Sequence, residues 1–299
     1  MKAIRIGTRG SELALKQVSI FTDLLALALP SLTYDVRVIK TEGDTNQNPI
    51  PLEAIGKGWF TKEIEEQLLN NTIDCAVHSL KDMTDDMPSD LTIGAYLPRE
   101  DARDALITKH GESLEELPQG ATIGTDSTRR QKQMLELRGD LVMKSIRGNV
   151  PTRIDKLTSE SYEGIVLAVA GLKRLNRQDE IVRIFSVDEM TPAPGQGTLA
   201  IECNANNSAL LEMLARIDDA DARRASKIER GFSKTVGGGC KSATGAYARL
   251  EDKLWTLTGM IDTEEGVLRD TMSVRLEDAS SLGTKLAKKM LTTLHHGSI

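Results

Sequence analysis

The stretch Ala3-Ile4-Arg5-Ile6-Gly7-Thr8-Arg9-Gly10-Ser11-Glu12-Leu13-Ala14 decides the fold class. Ala3 to Ile6 reads as a short apolar strand and Gly7 to Gly10 as a turn. Ser11 is a helix N-cap, because its hydroxyl can accept from a first-turn N–H. Ala14, Val18, Phe21, Leu25 and Ala28 then recur at spacings of four and three, one face of a helix that Pro30 ends. Tyr34 to Ile39 is the next strand, and Glu42 to Gly58 reads as a long loop. Thr61 caps a helix carrying Ile64 and Leu68, and a strand from Ile73 to Val77 follows. This βαβα order predicts a mostly parallel sheet with helices on both faces.

Near Tyr96-Leu97-Pro98-Arg99 the pattern restarts. Ala105 to Thr108, Ala121 to Gly124, Leu141 to Ile146 and Gly164 to Ala170 read as strands, and Ser127 to Arg138 as a helix closed by Gly139. Pro192, Pro194, Gly195 and Gly197 interrupt, and an apolar strand, Leu199 to Ile201, comes back. Two α/β halves with proline-marked crossings point to two lobes around a cleft. Val236 to Leu250, Leu254 to Ile261 and Val267 to Val274 read as a loop and antiparallel strands, and Ser281 to Leu294 as a closing helix.

The 299 residues suffice for two or three domains with proper cores. A net charge of −6 argues against a nucleic-acid surface, and 3% aromatics leave few bases a platform to stack on. The N-terminal residues run straight into a strand with no long apolar stretch, so neither a signal peptide nor a membrane span is expected and the cytoplasm is the expected compartment. Three cysteines without a Cys-x-x-Cys predict no disulfide framework, and the four histidines lack metal-ligand spacing. Cys75 and Cys203 lie in apolar strand patterns and read as structural.

Three strand-to-helix turns share a composition: Ile6 to Ser11, Ile123-Gly124-Thr125-Asp126-Ser127-Thr128-Arg129-Arg130, and Ile146-Arg147-Gly148-Asn149-Val150-Pro151-Thr152-Arg153. In open α/β sheets that edge binds ligands, and helix N-termini offer N–H groups to anions. Cations such as Arg129 and Arg130 in a first helical turn oppose the macrodipole unless an anion is present. Arg9, Arg129, Arg130, Arg147, Arg153 and Arg174 are therefore candidate anion ligands, against the plainer reading of arginines solvating an acidic surface. Their planar forks suit carboxylates, and no Walker-type motif points to nucleotide phosphate. His78-Ser79-Leu80-Lys81-Asp82 is either a polar turn after a strand or a site in which Asp82 handles protons or a cation. Cys240, behind Gly237-Gly238-Gly239, is either a covalent attachment point on an open loop or a small apolar side chain under a turn.

Taken together these segments closely resemble the porphobilinogen deaminase (hydroxymethylbilane synthase) family. The resemblance is carried by Gly7 to Gln17, Lys57-Gly58-Trp59-Phe60-Thr61-Lys62-Glu63-Ile64, Ala76 to Asp82, Arg99 to Leu106, Arg147 to Arg153, Ala170 to Leu175, Pro194-Gly195-Gln196-Gly197 and Gly238-Gly239-Cys240. It implies an α/β fold of two periplasmic-binding-protein-like lobes, residues 1–97 with 198–218 and 98–197, plus a small C-terminal α/β domain, 219–299, that carries the cofactor cysteine. It implies a dipyrromethane held by Cys240 through a thioether, and stepwise condensation of four porphobilinogen molecules with loss of ammonia. Asp82 then matches the catalytic aspartate, with Arg9, Arg147 and Arg153 beside it. Ser79, Lys81, Thr125, Ser127, Arg129, Arg130 and Gly148 match cofactor-side positions. Ser11, Gln17, Phe60 and Arg174 match substrate-side ones. A monomer with no metal, nucleic-acid or membrane partner is expected.

The chain departs from the family pattern in places. Asp126 and Thr128 replace two residues of the usual Ser/Thr-Ser-Ser-Leu run before the paired arginines, and Asp126 brings a carboxylate to an expected carboxylate site. Met83-Thr84-Asp85 stands for Met-Pro-Thr, Ala54 for a lysine, and Lys241-Ser242-Ala243 for a segment with Val-Pro. None removes a catalytic residue. The rival reading is a catalytically silent two-lobed carboxylate binder.

Overall fold

The computed structural model describes residues 3–45, 61–84, 86–237 and 243–296. The chain divides into two compact units, residues 1–100 with 198–223 and residues 101–197 with 224–299. The first unit begins with β1 (Ile4–Thr8), α1 (Glu12–Ala28), β2 (Tyr34–Val38), α2 (Glu42–Thr45), α3 (Lys62–Leu69), β3 (Cys75–Ser79) and β4 (Leu91–Tyr96). The second contributes β5 (Asp104–Thr108), β6 (Thr122–Gly124), α4 (Thr128–Leu137), β7 (Val142–Lys144), α5 (Val150–Ser159), β8 (Gly164–Ala168), α6 (Val169–Arg174) and β9 (Arg183–Ile184). β10 (Leu199–Asn204) and α7 (Ser208–Leu214) belong to the first unit. Then come α8 (Ala220–Val236), β11 (Thr244–Glu251), β12 (Leu254–Thr263), β13 (Gly266–Arg275) and α9 (Ala279–His296).

Both units hold a five-stranded sheet built to one plan. The orders are β2-β1-β3-β10-β4 and β7-β6-β8-β5-β9. In each, the first three neighbours are parallel and the fourth strand is antiparallel to the third. That reversed strand is the first one made after the chain passes from one unit to the other, β5 on the way out and β10 on the return. The α/β class expected from the sequence is thus present, with one reversed strand in each otherwise parallel set.

The central strands β3, β5 and β8 are buried on both faces, as helix-covered sheets require, while the edge strands β2 and β7 are largely exposed. In β3, Cys75 and Val77 pack with Phe21 and Leu25 of α1, while Ala76 packs with Ile64 and Leu68 of α3 on the opposite face. In β8, Ile165 and Leu167 meet Ile154 and Leu157 of α5, and Val166 meets Met134 of α4. The period-two alternation of strand side chains puts each set on its own side. The remaining sheet, β11-β12-β13, is antiparallel. Trp255 and Leu257 pack there with Ile228 and Phe232 of α8 and Leu282 and Leu286 of α9. A Cβ at Gly283 would strike the backbone of Ile228, so a glycine is what lets α9 and α8 approach this closely.

Several expectations are corrected. β3 runs from Cys75 to Ser79, not Ile73 to Val77, so His78 and Ser79 are strand residues. Glu42 to Thr45 is helical where a loop was expected. Strand β8 ends at Ala168 because α6 starts at Val169. Thr61 sits at the start of α3 but makes no side-chain cap hydrogen bond. β4 and the 17-residue α8 were not anticipated.

Candidate functional site

In the first unit, β1 and β3 are parallel neighbours, so their C-terminal ends lie at one sheet edge. After β1, Arg9 is half-buried, and Ser11 Oγ accepts from Ala14 N at 3.2 Å as the N-cap of α1. Gln17, buried two turns into α1, donates through Nε2 to Ser79 Oγ at 2.9 Å. The chain then leaves β3 through a single 3₁₀ turn, Leu80–Asp82. Leu80 is buried and its N–H bonds Thr198 O at 3.0 Å, which fixes the turn to the strand after the return crossing. Lys81 and Asp82 stand exposed on it. Ser11, Gln17, Ser79, Lys81 and Asp82 are therefore gathered at one edge, with a buried leucine as the anchor.

His78 is not part of that polar edge. Its Nε2 lies 3.0 Å from Glu202 Oε2 inside the sheet, with both side chains almost wholly buried. Cys75 and Cys203 are free and face one another across β3 and β10. Burial raises the Cys75 thiol far above its ordinary range and pushes the Cys203 thiol up to about 11. Neither is a ready nucleophile, in keeping with the structural reading of both.

In the second unit, β6, β7 and β8 are mutually parallel and end together. Ser127 caps α4, accepting from Arg130 N, and Thr125 Oγ1 accepts from Ser127 N at 3.2 Å. Asn149 caps α5, accepting from Thr152 N at 3.0 Å. Gly148 before it has φ +117°, and a Cβ there would lie 2.6 Å from Thr152 Cγ2, so glycine is required twice over. Its carbonyl accepts from Arg153 Nε at 2.8 Å. Arg147 Nε lies 3.3 Å from Asp126 Oδ2.

Arg129 and Arg130 correct the argument made from the sequence. The anion at the start of α4 is the chain's own Asp104. β5 runs antiparallel to β8 with Asp104 opposite Ala168, which brings this carboxylate to the edge where α4 begins. Arg129 Nη2 meets Asp104 Oδ2 at 2.7 Å and its Nη1 donates to Thr191 O at 2.6 Å. Arg130 reaches Asp104 Oδ1 through Nη2 at 2.7 Å and Nε at 3.1 Å, and Val166 O through Nη1 at 3.0 Å. Gln196 Nε2 also donates to Asp104 Oδ1, at 2.9 Å. Burial alone would raise the Asp104 carboxyl, but the Arg129 and Arg130 charges outweigh it and hold it well below the usual carboxylate range. Arg174 closes α6, buried, and donates to Gly197 O at 2.6 Å.

Asp104, Gln196 and Glu229 were missed as polar anchors. Glu229, fully buried, accepts from Gly195 N and Ala248 N, both at 2.7 Å. A carboxylate at a strand start and a Gln inside a Pro-Gly-Gln-Gly turn were the available signals. Cys240 and Phe60 lie outside the described residues, as do Ala54, Asp85, Lys241 and Ser242. Among the described residues no group of three His, Cys, Asp or Glu could hold a metal ion, and no helix is long and apolar enough to cross a membrane.

Residues 4–212 match the family model described as "Porphobilinogen deaminase, dipyromethane cofactor binding domain", and residues 223–292 match "Porphobilinogen deaminase, C-terminal domain". The chain belongs to the porphobilinogen deaminase family. Curated relatives agree along the whole length. The porphobilinogen deaminase of Clostridium novyi is 42% identical over 98% of this chain and 99% of its own. That of Roseiflexus sp. (strain RS-1) is 44% identical over 96% and 95%, and that of Alkaliphilus metalliredigens 40% over 97% and 93%. Among solved structures, the methionine-binding protein MetQ covers 79% of this chain at 12% identity with a TM-score of 0.45, too loose a likeness to carry the fold.

Taken one at a time, the edge after β3 offers the Ser79 hydroxyl and the Lys81 ammonium, and the edge after β6 the Thr125 and Ser127 hydroxyls, donor chemistry that suits the carboxylate side chains of the family's dipyrromethane.

Proposed function

We propose that this chain is a porphobilinogen deaminase, which joins four porphobilinogen molecules head to tail and then, by adding one water where the chain meets its primer, releases a linear hydroxymethylbilane. Family membership over both domains supports the reading, and so does the exposed carboxylate of Asp82, the residue that the sequence resemblance matches to the catalytic aspartate. At each addition the C–N bond within the substrate's aminomethyl group breaks and ammonia leaves. The methylene carbon then bonds the free α-carbon of the preceding pyrrole, which loses its proton. A dipyrromethane on Cys240 supplies the primer pyrrole when bound.

The chain's own residues divide the remaining work. Departure of ammonia leaves positive charge on the substrate pyrrole. Asp82, held on a 3₁₀ turn by the buried Leu80, offsets that charge at the pyrrole nitrogen and accepts the displaced proton. Arg9, Arg147 and Arg153 take the substrate's acetate and propionate as catalytic positioning groups, with Ser11, Gln17, Phe60 and Arg174 on the substrate side. Ser79, Lys81, Thr125, Ser127 and Gly148 line the cofactor side. Arg129 and Arg130 belong to that side too, with Asp104 holding the guanidiniums in place. The chain is assigned three domains, 1–97 with 198–218, 98–197 and 219–299, and acts as a cytoplasmic monomer.

Incubating the purified protein with porphobilinogen tests the assignment. Consumption with one ammonia released per molecule, and a bilane product, is the expected result. Binding without consumption would favour the silent carboxylate binder.

A further inference from the structure

We infer that Asp126 is a built-in competitor for the Arg147 guanidinium, placed at the edge that a substrate carboxylate must take. The inference rests on the reading of Arg147 as a substrate ligand. Asp126 and Arg147 follow β6 and β7, parallel neighbours in which Gly124 pairs with Lys144, so the two side chains leave one sheet edge side by side. Asp126 Oδ2 lies 3.3 Å from Arg147 Nε. Asp126 Oδ1 accepts from Ser145 Oγ, which turns the other oxygen onto the arginine. The carboxylate is thus neither turned away from the expected anion site nor idle at the helix start.

Arginine binds a carboxylate best with two parallel N–H bonds, and the edge formed by Nε and one Nη is one of the two that permit this. A residue already at Nε takes up half of that edge. Its charge also repels an incoming acetate or propionate, so the two effects share a sign. The side chains are 30% and 29% exposed, which makes the pair weak enough for a ligand to displace. The residue that the family resemblance leads one to expect here is a serine, which would hydrogen-bond a carboxylate without opposing it. Asp126 therefore lowers the affinity of this chain for its carboxylate ligands and sets the substrate concentration at which it saturates.

The test uses the holoenzyme and its Asp126→Asn, Asp126→Ser, Arg147→Leu and Asp126→Asn/Arg147→Leu variants. Two readouts are taken: KM and kcat for porphobilinogen, and the calorimetric Kd of a pyrrole bearing acetate and propionate but no aminomethyl group, which cannot react. Asp126→Asn and Asp126→Ser are expected to lower KM and the probe Kd by about two- to fivefold, the range a displaced half-exposed ion pair allows. In the Arg147→Leu background the Asp126 change should lower Kd by less. If Arg147→Leu weakens the probe while both Asp126 variants leave Kd unchanged or raised, the Arg147 reading survives and the competition is overturned. If Arg147→Leu binds the probe like the parent, the ligand does not sit on Arg147, and the underlying reading falls and takes the competition with it.

Discussion

The start of α4 and the turn after β3 carry charged residues to the same kind of place, the C-terminal edge of a parallel sheet, and they end differently. Arg129 and Arg130 are buried, and Asp104, Thr191 O and Val166 O accept from them. Lys81 and Asp82 stand exposed on a turn held from beneath by Leu80. The first arrangement is an internal ion triad whose loss is paid in stability. The second leaves a carboxylate facing solvent, where a substrate can meet it. Edge position is shared, so what separates the two regions is burial: one set of charges is enclosed with its counter-charge, and the other faces solvent.

The largest expected effect is on the anchor. Asp104→Asn, or Arg130→Leu, leaves buried charge without its partner and should cost about 3–5 kcal/mol of stability. Denaturant unfolding measures it. The Asp104 carboxyl is held below its unfolded value of about 3.9, so its contribution is complete above that pH and is lost as pH falls towards the folded value. The parent should therefore lose stability below about pH 4 more steeply than Asp104→Asn. If Asp104→Asn unfolded at the parent's denaturant midpoint, the distinction between the two regions would collapse.

The converse change sharpens the comparison from the other side. Asp82→Asn should lower turnover roughly 10²-fold or more, and the melting temperature should stay near the parent's. Asp82→Glu keeps the charge and should retain part of the activity. Lowered melting temperature with near-normal turnover per folded molecule would instead make Asp82 a structural turn residue.

A smaller effect is expected at the β7–α5 turn. Gly148→Ala forces a side chain into φ +117° and against Thr152, at a cost of about 1–3 kcal/mol. Because Arg153 Nε bonds the Gly148 carbonyl, KM for porphobilinogen should rise along with the loss of stability. A change in stability with KM unaltered would separate this turn from substrate binding.

Much of this was legible in the sequence because it is local. Ser11 as an N-cap, the α1 stripe of Val18, Phe21 and Leu25, and the three strand-to-helix turns follow from spacing and turn chemistry alone. What was not legible depends on distant partners. Nothing near Arg129 announces that a strand start 25 residues earlier supplies its anion. The reversed strand places Asp104 there, and strand direction follows from the path of the whole chain. α8 was missed although Ala225, Ile228 and Phe232 keep helical spacing, because its surface is largely charged and its apolar face is narrow. The resemblance to a known family reached Cys240 and Phe60, which lie outside the described residues.

The central claim, that this chain is a deaminase primed by its own covalent dipyrromethane, is tested most directly by the intact mass of the purified protein and of Cys240→Ser. The account predicts a parent heavier than its sequence by one dipyrromethane and a Cys240→Ser variant at its sequence mass, inactive. A parent at its bare sequence mass that still converted porphobilinogen would contradict it.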